Sequence, residues 1–206
     1  MSSKIKIALL FLISFVGFKL GAQETPVNIL NKAVNAISAA NGIEANFKVF
    51  NSGYSGSGTI KTLGNKFKVT LPDVAVWYNG QDLYTYNSRT NEVTVTIPTD
   101  EELAESNPLA YVTRAKNGYN VIFSTVKKDG RYVLELTPKS KGVEIKRITL
   151  TLKKSSYLPE KIVVEPLSGN PISADITSFK TSVKLSPNEF NFPKSQYPKA
   201  ELIDLR

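Results

Sequence analysis

Apolar and polar residues alternate at a spacing of two through most of this chain. Ile43, Ala45, Phe47 and Val49 face one way while Glu44, Asn46 and Lys48 face the other. Phe67, Val69 and Leu71 repeat the pattern, and Val93, Val95 and Ile97 alternate with Glu92, Thr94 and Thr96. Such alternation predicts half-buried strands. Two stretches change period. After Thr25-Pro26, a cap followed by a first-turn proline, Leu30, Val34 and Ile37 form a stripe widened by Ile29, Ala33 and Ala36. Asn41-Gly42 ends it, so an amphipathic helix is predicted over Pro26 to Ala40. Thr99-Asp100-Glu101-Glu102 has the form of a capping box. Asn107-Pro108 then opens a second short helix carrying Leu109, Tyr111 and Val112, ending near Asn117-Gly118. Two short helices in an otherwise all-strand chain read as a flap over Asp100 to Lys116.

The meander Val74 to Pro98 is unusual in its first half. Val74 to Tyr78 is apolar or aromatic on both faces, and Leu83, Tyr84 and Tyr86 nearly so. A sheet that is apolar on both sides needs a cover on each side, but the pattern does not say which face looks inward. Asn79-Gly80 predicts a two-residue hairpin with both residues at positive φ, and Asn87 to Asn91 forms the next turn. Asn51 to Gly58 (NSGYSGSG) reads as a flexible loop. Its glycines do not make a phosphate cradle, because a strand pattern from Thr59 to Leu63 follows instead of a helix. Further strands are predicted at Tyr119 to Thr125, Tyr132 to Thr137, Val143 to Lys153, Lys161 to Glu165 and Ile172 to Phe179, with prolines at their ends. The sum is a mainly β chain of about eleven strands, an antiparallel barrel or sandwich with added helices. The proline-rich tail places Phe190 and Phe192 in a short 3₁₀ turn and lays the rest across a sheet edge.

Composition narrows the function. Met1 to Ala22 has a basic start, an apolar run from Ile7 to Phe18 and a small residue at Ala22. It reads as a secretory signal peptide cut after Ala22, which leaves 23–206 as one exported domain. The net charge of +8 includes Lys4, Lys6 and Lys19 of that segment, and the remaining lysines are scattered, so no nucleic-acid surface is implied. There is no cysteine, which excludes thiol catalysis, zinc–thiolate sites and a lipid-modified cysteine anchor. There is no histidine either, which removes the usual acid–base residue near neutral pH and counts against an enzyme. Asp100, Glu101, Glu102 and Glu105 need no metal or catalytic role, since acids are favoured in a helix's first turn. Nothing calls for a cofactor.

Four segments in order carry a resemblance. They are Tyr78-Asn79-Gly80-Gln81-Asp82-Leu83-Tyr84-Thr85-Tyr86, Asn107-Pro108-Leu109, Tyr132 to Lys139 (YVLELTPK) and Phe190-Asn191-Phe192-Pro193. Together the chain resembles the periplasmic lipoprotein carriers of the LolA/LolB type, over nearly all of Gln23 to Arg206. The resemblance implies an open antiparallel half-barrel whose concave face is covered by the N-terminal helix and a helical lid. It implies a soluble, monomeric, periplasmic, non-enzymatic carrier that binds the acyl chains of lipoproteins in a hydrophobic cavity. Its partners would be acylated lipoproteins, an inner-membrane lipoprotein-releasing transporter and an outer-membrane acceptor. An envelope sensor that binds a lipid or a protein is the alternative. The expected lining is Leu30, Val34 and Ile37 from the helix, Phe47, Val49, Phe67, Val69, Trp77, Tyr84 and Tyr86 from the sheet, and Leu103, Leu109, Tyr111 and Val112 from the flap. One departure stands out: the carriers' release-linked arginine has no counterpart in Lys61 to Phe67, where Lys61 and Lys66 lack its planar fork.

Overall fold

The computed structural model describes residues 24–206, so the predicted leader Met1 to Ala22 and its cleavage lie outside the described residues. Helix α1 (Pro26–Ser38) leads into β1 (Ile43–Asn51), β2 (Tyr54–Leu63) and β3 (Lys66–Thr70). The meander follows as β4 (Val74–Tyr78), β5 (Leu83–Asn87) and β6 (Glu92–Thr96). The lid is α2 (Asp100–Ser106), α3 (Ala110–Thr113) and α4 (Ala115–Gly118). Then come β7 (Tyr119–Phe123), β8 (Arg131–Pro138), β9 (Ile145–Lys153), β10 (Pro159–Pro166) and β11 (Ile172–Thr181). Two 3₁₀ turns, Pro187–Phe190 and Lys194–Gln196, lead to β12 (Glu201–Asp204).

All twelve strands form one open sheet in the order β12-β6-β5-β4-β3-β2-β1-β11-β10-β9-β8-β7. The strand beyond the expected eleven or so is β12: the tail does not merely cross the edge but joins it, pairing in parallel with β6. Both caps read from the sequence are formed. The Thr25 hydroxyl accepts from the Asn28 amide, and Thr99 and Glu102 close a reciprocal capping box. Two local expectations are corrected. The Asn51 to Gly58 segment is mostly strand, since β2 begins at Tyr54 and pairs along the whole of β1. The Asn79-Gly80 turn is a four-residue connection in which only Gly80 has positive φ (104°). The Asn79 side chain takes over there, accepting from the Gln81 and Asp82 amides at 2.9 Å each. At the α1–β1 junction Gly42 sits at φ 87°, where a Cβ would stand 2.0 Å from the Val183 carbonyl, so only glycine fits.

Register sorts the two apolar faces of the meander. Phe67 stands beside Tyr78 and Val69 beside Val76, facing the helices. Trp77 pairs with Tyr84, and Tyr86 with Val93, on the other face. There the tail covers them: Phe192 meets Trp77 edge-on at 5.4 Å and stacks on Tyr84 at 5.5 Å, while Tyr197 lies 4.5 Å from Tyr86. Arg206 reaches back to the buried Asp82 at 3.3 Å. On the helix-bearing face, Ile29, Leu30, Ala33, Val34 and Ile37 of α1 are buried with Leu134, Leu136, Ile148, Leu150 and Leu152 of β8 and β9. The start of α1 is clasped by Glu24, which accepts from Lys32, from the Tyr132 hydroxyl at 2.5 Å and from the Tyr157 hydroxyl at 2.9 Å.

Two expectations follow. Trp77 is the sole tryptophan, and its indole is sealed by the tail. Phe192→Ala is therefore expected to lower stability by about 2 kcal/mol for a half-buried ring and to red-shift Trp77 emission, as read by urea unfolding and fluorescence. The clasp gives a pH signature. The Lys32 hydrogen bond first, then those of Tyr132 and Tyr157, hold the Glu24 carboxyl at about 2, below its ordinary 4.5. A depressed carboxyl adds stability above pH 4.5 that is lost as pH falls through 4.5 toward 2. Tyr132 runs the other way: its hydrogen bond to Glu24, then burial, raise it from 10 to about 12, so its share is lost as pH climbs through that interval. Glu24→Gln is expected to be less stable than wild type at neutral pH and nearly equal to it at about pH 2. An undiminished gap in acid would show that the clasp carries no ionic share.

Candidate functional site

The helices do not fill the face they cover. Between the lid and the middle of the sheet lies a cavity of about 470 Å³. Its floor is apolar: Phe47 and Val49 from β1, Val69 and Leu71 at β3, Ile162 and Val164 from β10, and Ala174 from β11. Ile145, Pro166 and Ile172, where β9, β10 and β11 meet their loops, extend the lining, and Ser106, Pro108 and Tyr111 of the lid form the roof. Glu105 and Glu144, both exposed to solvent, are its charged lining and mark its mouth.

Local chemistry shapes this space. Phe47 sits at a register shift between β1 and β11, where Thr177 is left over and its hydroxyl donates to the Asn46 carbonyl at 3.2 Å. Such a bulge bends the strand locally. The Phe47 ring lies across β2 at Gly58, where an added Cβ would meet its Cζ at 2.7 Å and the Thr70 carbonyl at 2.7 Å. The last glycine of NSGYSGSG, Gly58, thus makes room for a ring on the cavity floor. In the lid, Arg114 bonds the carboxylate of Asp100 at 3.1 Å, tying the start of α2 to the end of α3. The Leu109 amide donates to Asn107 Oδ1 at 2.9 Å and fixes the bend between α2 and α3. Burial first, then the charge of Glu105, push the Tyr111 hydroxyl up to about 12.

Of the expected lining residues, Phe47, Val49, Val69 and Tyr111 border the cavity. Leu30, Val34, Ile37, Phe67, Leu103, Leu109 and Val112 lie on the same side but are buried in the solid core beside it. Trp77, Tyr84 and Tyr86 are corrected: they face away, under the tail. The reason is strand alternation, since Phe67 and Val69 already point to the helices and their neighbours across β4 put Trp77 on the reverse. Ile145, Ile162, Val164, Ile172 and Ala174 were not anticipated as lining. Their alternation was visible, but nothing local reveals that β11 and β10 lie next to β1. Lys61, in the stretch lacking an arginine, pairs with Glu189 at 3.1 Å and Glu44 at 3.9 Å, on the face away from the lid. Among the described residues, no group of three or more Asp or Glu is placed to hold a metal, and no helix is long and apolar enough to cross a membrane.

The chain is similar to several solved structures. An uncharacterized conserved protein from Thermus thermophilus superposes with a TM-score of 0.59 at 13% identity, over 85% of this chain and 96% of that one. The lipoprotein LppX of Mycobacterium tuberculosis gives 0.47 at 14% identity, over 78% and 97%. A LolA superfamily protein from Nitrosomonas europaea gives 0.43 at 15% identity, over 82% and 98%. No curated protein matches the sequence. The model of the family described as "Outer membrane lipoprotein carrier protein LolA" matches residues 16–166, well over half of the chain. The chain belongs to the LolA family of outer membrane lipoprotein carrier proteins.

Proposed function

We propose that the protein is a soluble, monomeric periplasmic carrier that holds the acyl chains of lipoproteins in the lid-covered cavity and ferries them to the outer membrane. In this reading Met1 to Ala22 is removed on export and residues 23–206 form the carrier. Its partners are acylated lipoproteins, an inner-membrane transporter that releases them and an outer-membrane acceptor. The observation that carries it is a 470 Å³ space under a helical lid, lined almost wholly by aliphatic and aromatic side chains. That volume lies within the roughly 300–1,000 Å³ usual for ligand pockets. Burying a methylene gains ~0.8 kcal/mol, so about fifteen carbons could gain roughly 12 kcal/mol. Such binding needs no polar hook, and it needs no catalytic group, in keeping with family membership.

Depleting the protein is expected to leave outer-membrane lipoproteins in the inner membrane, as read by membrane fractionation. Correct sorting after depletion would remove the carrier reading. Intact lipoproteins should co-purify with the protein, whereas free lipid alone would favour an envelope lipid-binding module. At the cavity floor, Ala174→Phe displaces about three methylenes of cargo, about 2 kcal/mol or roughly thirtyfold in the affinity of a fluorescent acyl probe. Trp77→Phe, on the opposite face, is expected to leave that affinity unchanged.

A further inference from the structure

The charged side chains that line the cavity are of one sign only. Glu105, near the end of α2, and Glu144, just before β9, line it, and among the described residues no lysine or arginine does. This runs against a chain with 26 lysines and arginines to 18 acids. Elsewhere the carboxylates are mostly paired: Glu44 with Lys61 and Lys180, Glu165 with Arg147, Glu160 with Arg131 and Lys153. Glu105 and Glu144 have no ion-pair partner among the described residues. Tyr111 lines the same cavity, close enough to Glu105 to feel its charge, and its phenol offers a hydroxyl donor.

An apolar chamber closed by a hydroxyl donor and two unpaired carboxylates suits one class of ligand. The chain enters the chamber, a carbonyl near its head can accept from a hydroxyl, and the attached group must be neutral or cationic. A free carboxylate or a phosphate in that position would face two like charges, with no lysine or arginine among the lining residues. We propose that Glu105 and Glu144 act as a charge filter, admitting acyl chains joined through amide or ester bonds to a neutral or cationic body and repelling fatty-acid anions and anionic phospholipids. The filter rests on the carrier reading for the cavity being a lipid chamber. It adds what that reading leaves open: how abundant anionic lipid is kept from occupying the carrier.

Displacement of a fluorescent fatty-acyl amide from the purified protein tests this, using three competitors of equal, short chain length. They are a fatty-acid anion, a monoacylglycerol and an acylcholine ester. The monoacylglycerol and the acylcholine are expected to compete at concentrations roughly tenfold below the anion at low ionic strength, with the gap narrowing in high salt. In the Glu105→Gln, Glu144→Gln double variant the ratio of anion to neutral affinity should collapse to about twofold, with the fold checked by circular dichroism. An anion that competes as well as the neutral lipid in wild type, or a ratio untouched by the double variant, would overturn the filter while leaving the carrier standing. If the amide probe fails to bind at all, the carrier reading itself falls.

Discussion

A twelve-stranded sheet presents more apolar surface than its helices can cover. Strands lie about 4.8 Å apart, so twelve span roughly 50 Å along the hydrogen-bonding direction. Helix α1, with 13 residues, is only about 20 Å long and about 10 Å thick. It is also gathered at one end, against α3, α4, β7 and β8. There the interior is solid, with Val112, Ala115, Leu134 and Leu150 fully buried. The short α2 and the bend at Pro108 reach out over the middle of the sheet without descending onto it, and the cavity is the remainder. Its side chains are those of any core, and what is missing is the filling between floor and lid.

The reverse face follows the opposite logic. Trp77, Val93, Val95 and Phe190 are buried there although no helix lies over them. The tail supplies rings instead of a helix, and proline-rich chain suits the task because its limited conformations cost less entropy to hold against a surface. The two faces of the same strands thus meet two different covers. One is tightly closed by aromatic contacts and by Arg206 on Asp82, and the other stays partly hollow.

This division explains what the sequence could and could not tell. Caps and helices were legible because they are set by neighbours three or four residues apart: Thr25, the Thr99 and Glu102 pair, and the stripe Leu30, Val34, Ile37. Strands were legible wherever only one face was apolar, as in Glu92 to Thr96. Doubly apolar β4 and β5 showed that two covers were needed, but assigning Trp77 to one requires the pairing with β3. The run NSGYSGSG misled because glycine and serine weaken a strand by propensity, while Gly58 is demanded by the Phe47 ring that crosses it. The β1–β11 pairing joins segments some 130 residues apart, so the C-terminal half of the cavity floor left no local trace.

The attachment of the lid bears on how a chamber of this kind could empty. Val112 and Ala115 are fully buried with α1, in the same core as Leu30 and Ile37. A lid that left α1 behind would expose them together with Leu109, at roughly 1.5–3 kcal/mol for each large aliphatic side chain. A lid that moved with α1 would keep those contacts but would pull Ile29 and Ala33 from the sheet and break the Glu24 clasp. Lifting α2 alone costs least. Leu103 is its only buried residue, and the Arg114–Asp100 pair that holds its start is exposed to water, where such a pair contributes little. Glu105 at the mouth and Ser106 in the roof are both carried by α2, so its movement would widen the cavity at the rim and shift one of the two carboxylates. The region of least packing and the entrance therefore coincide, as expected of a cover that opens from its edge while the solid end stays shut.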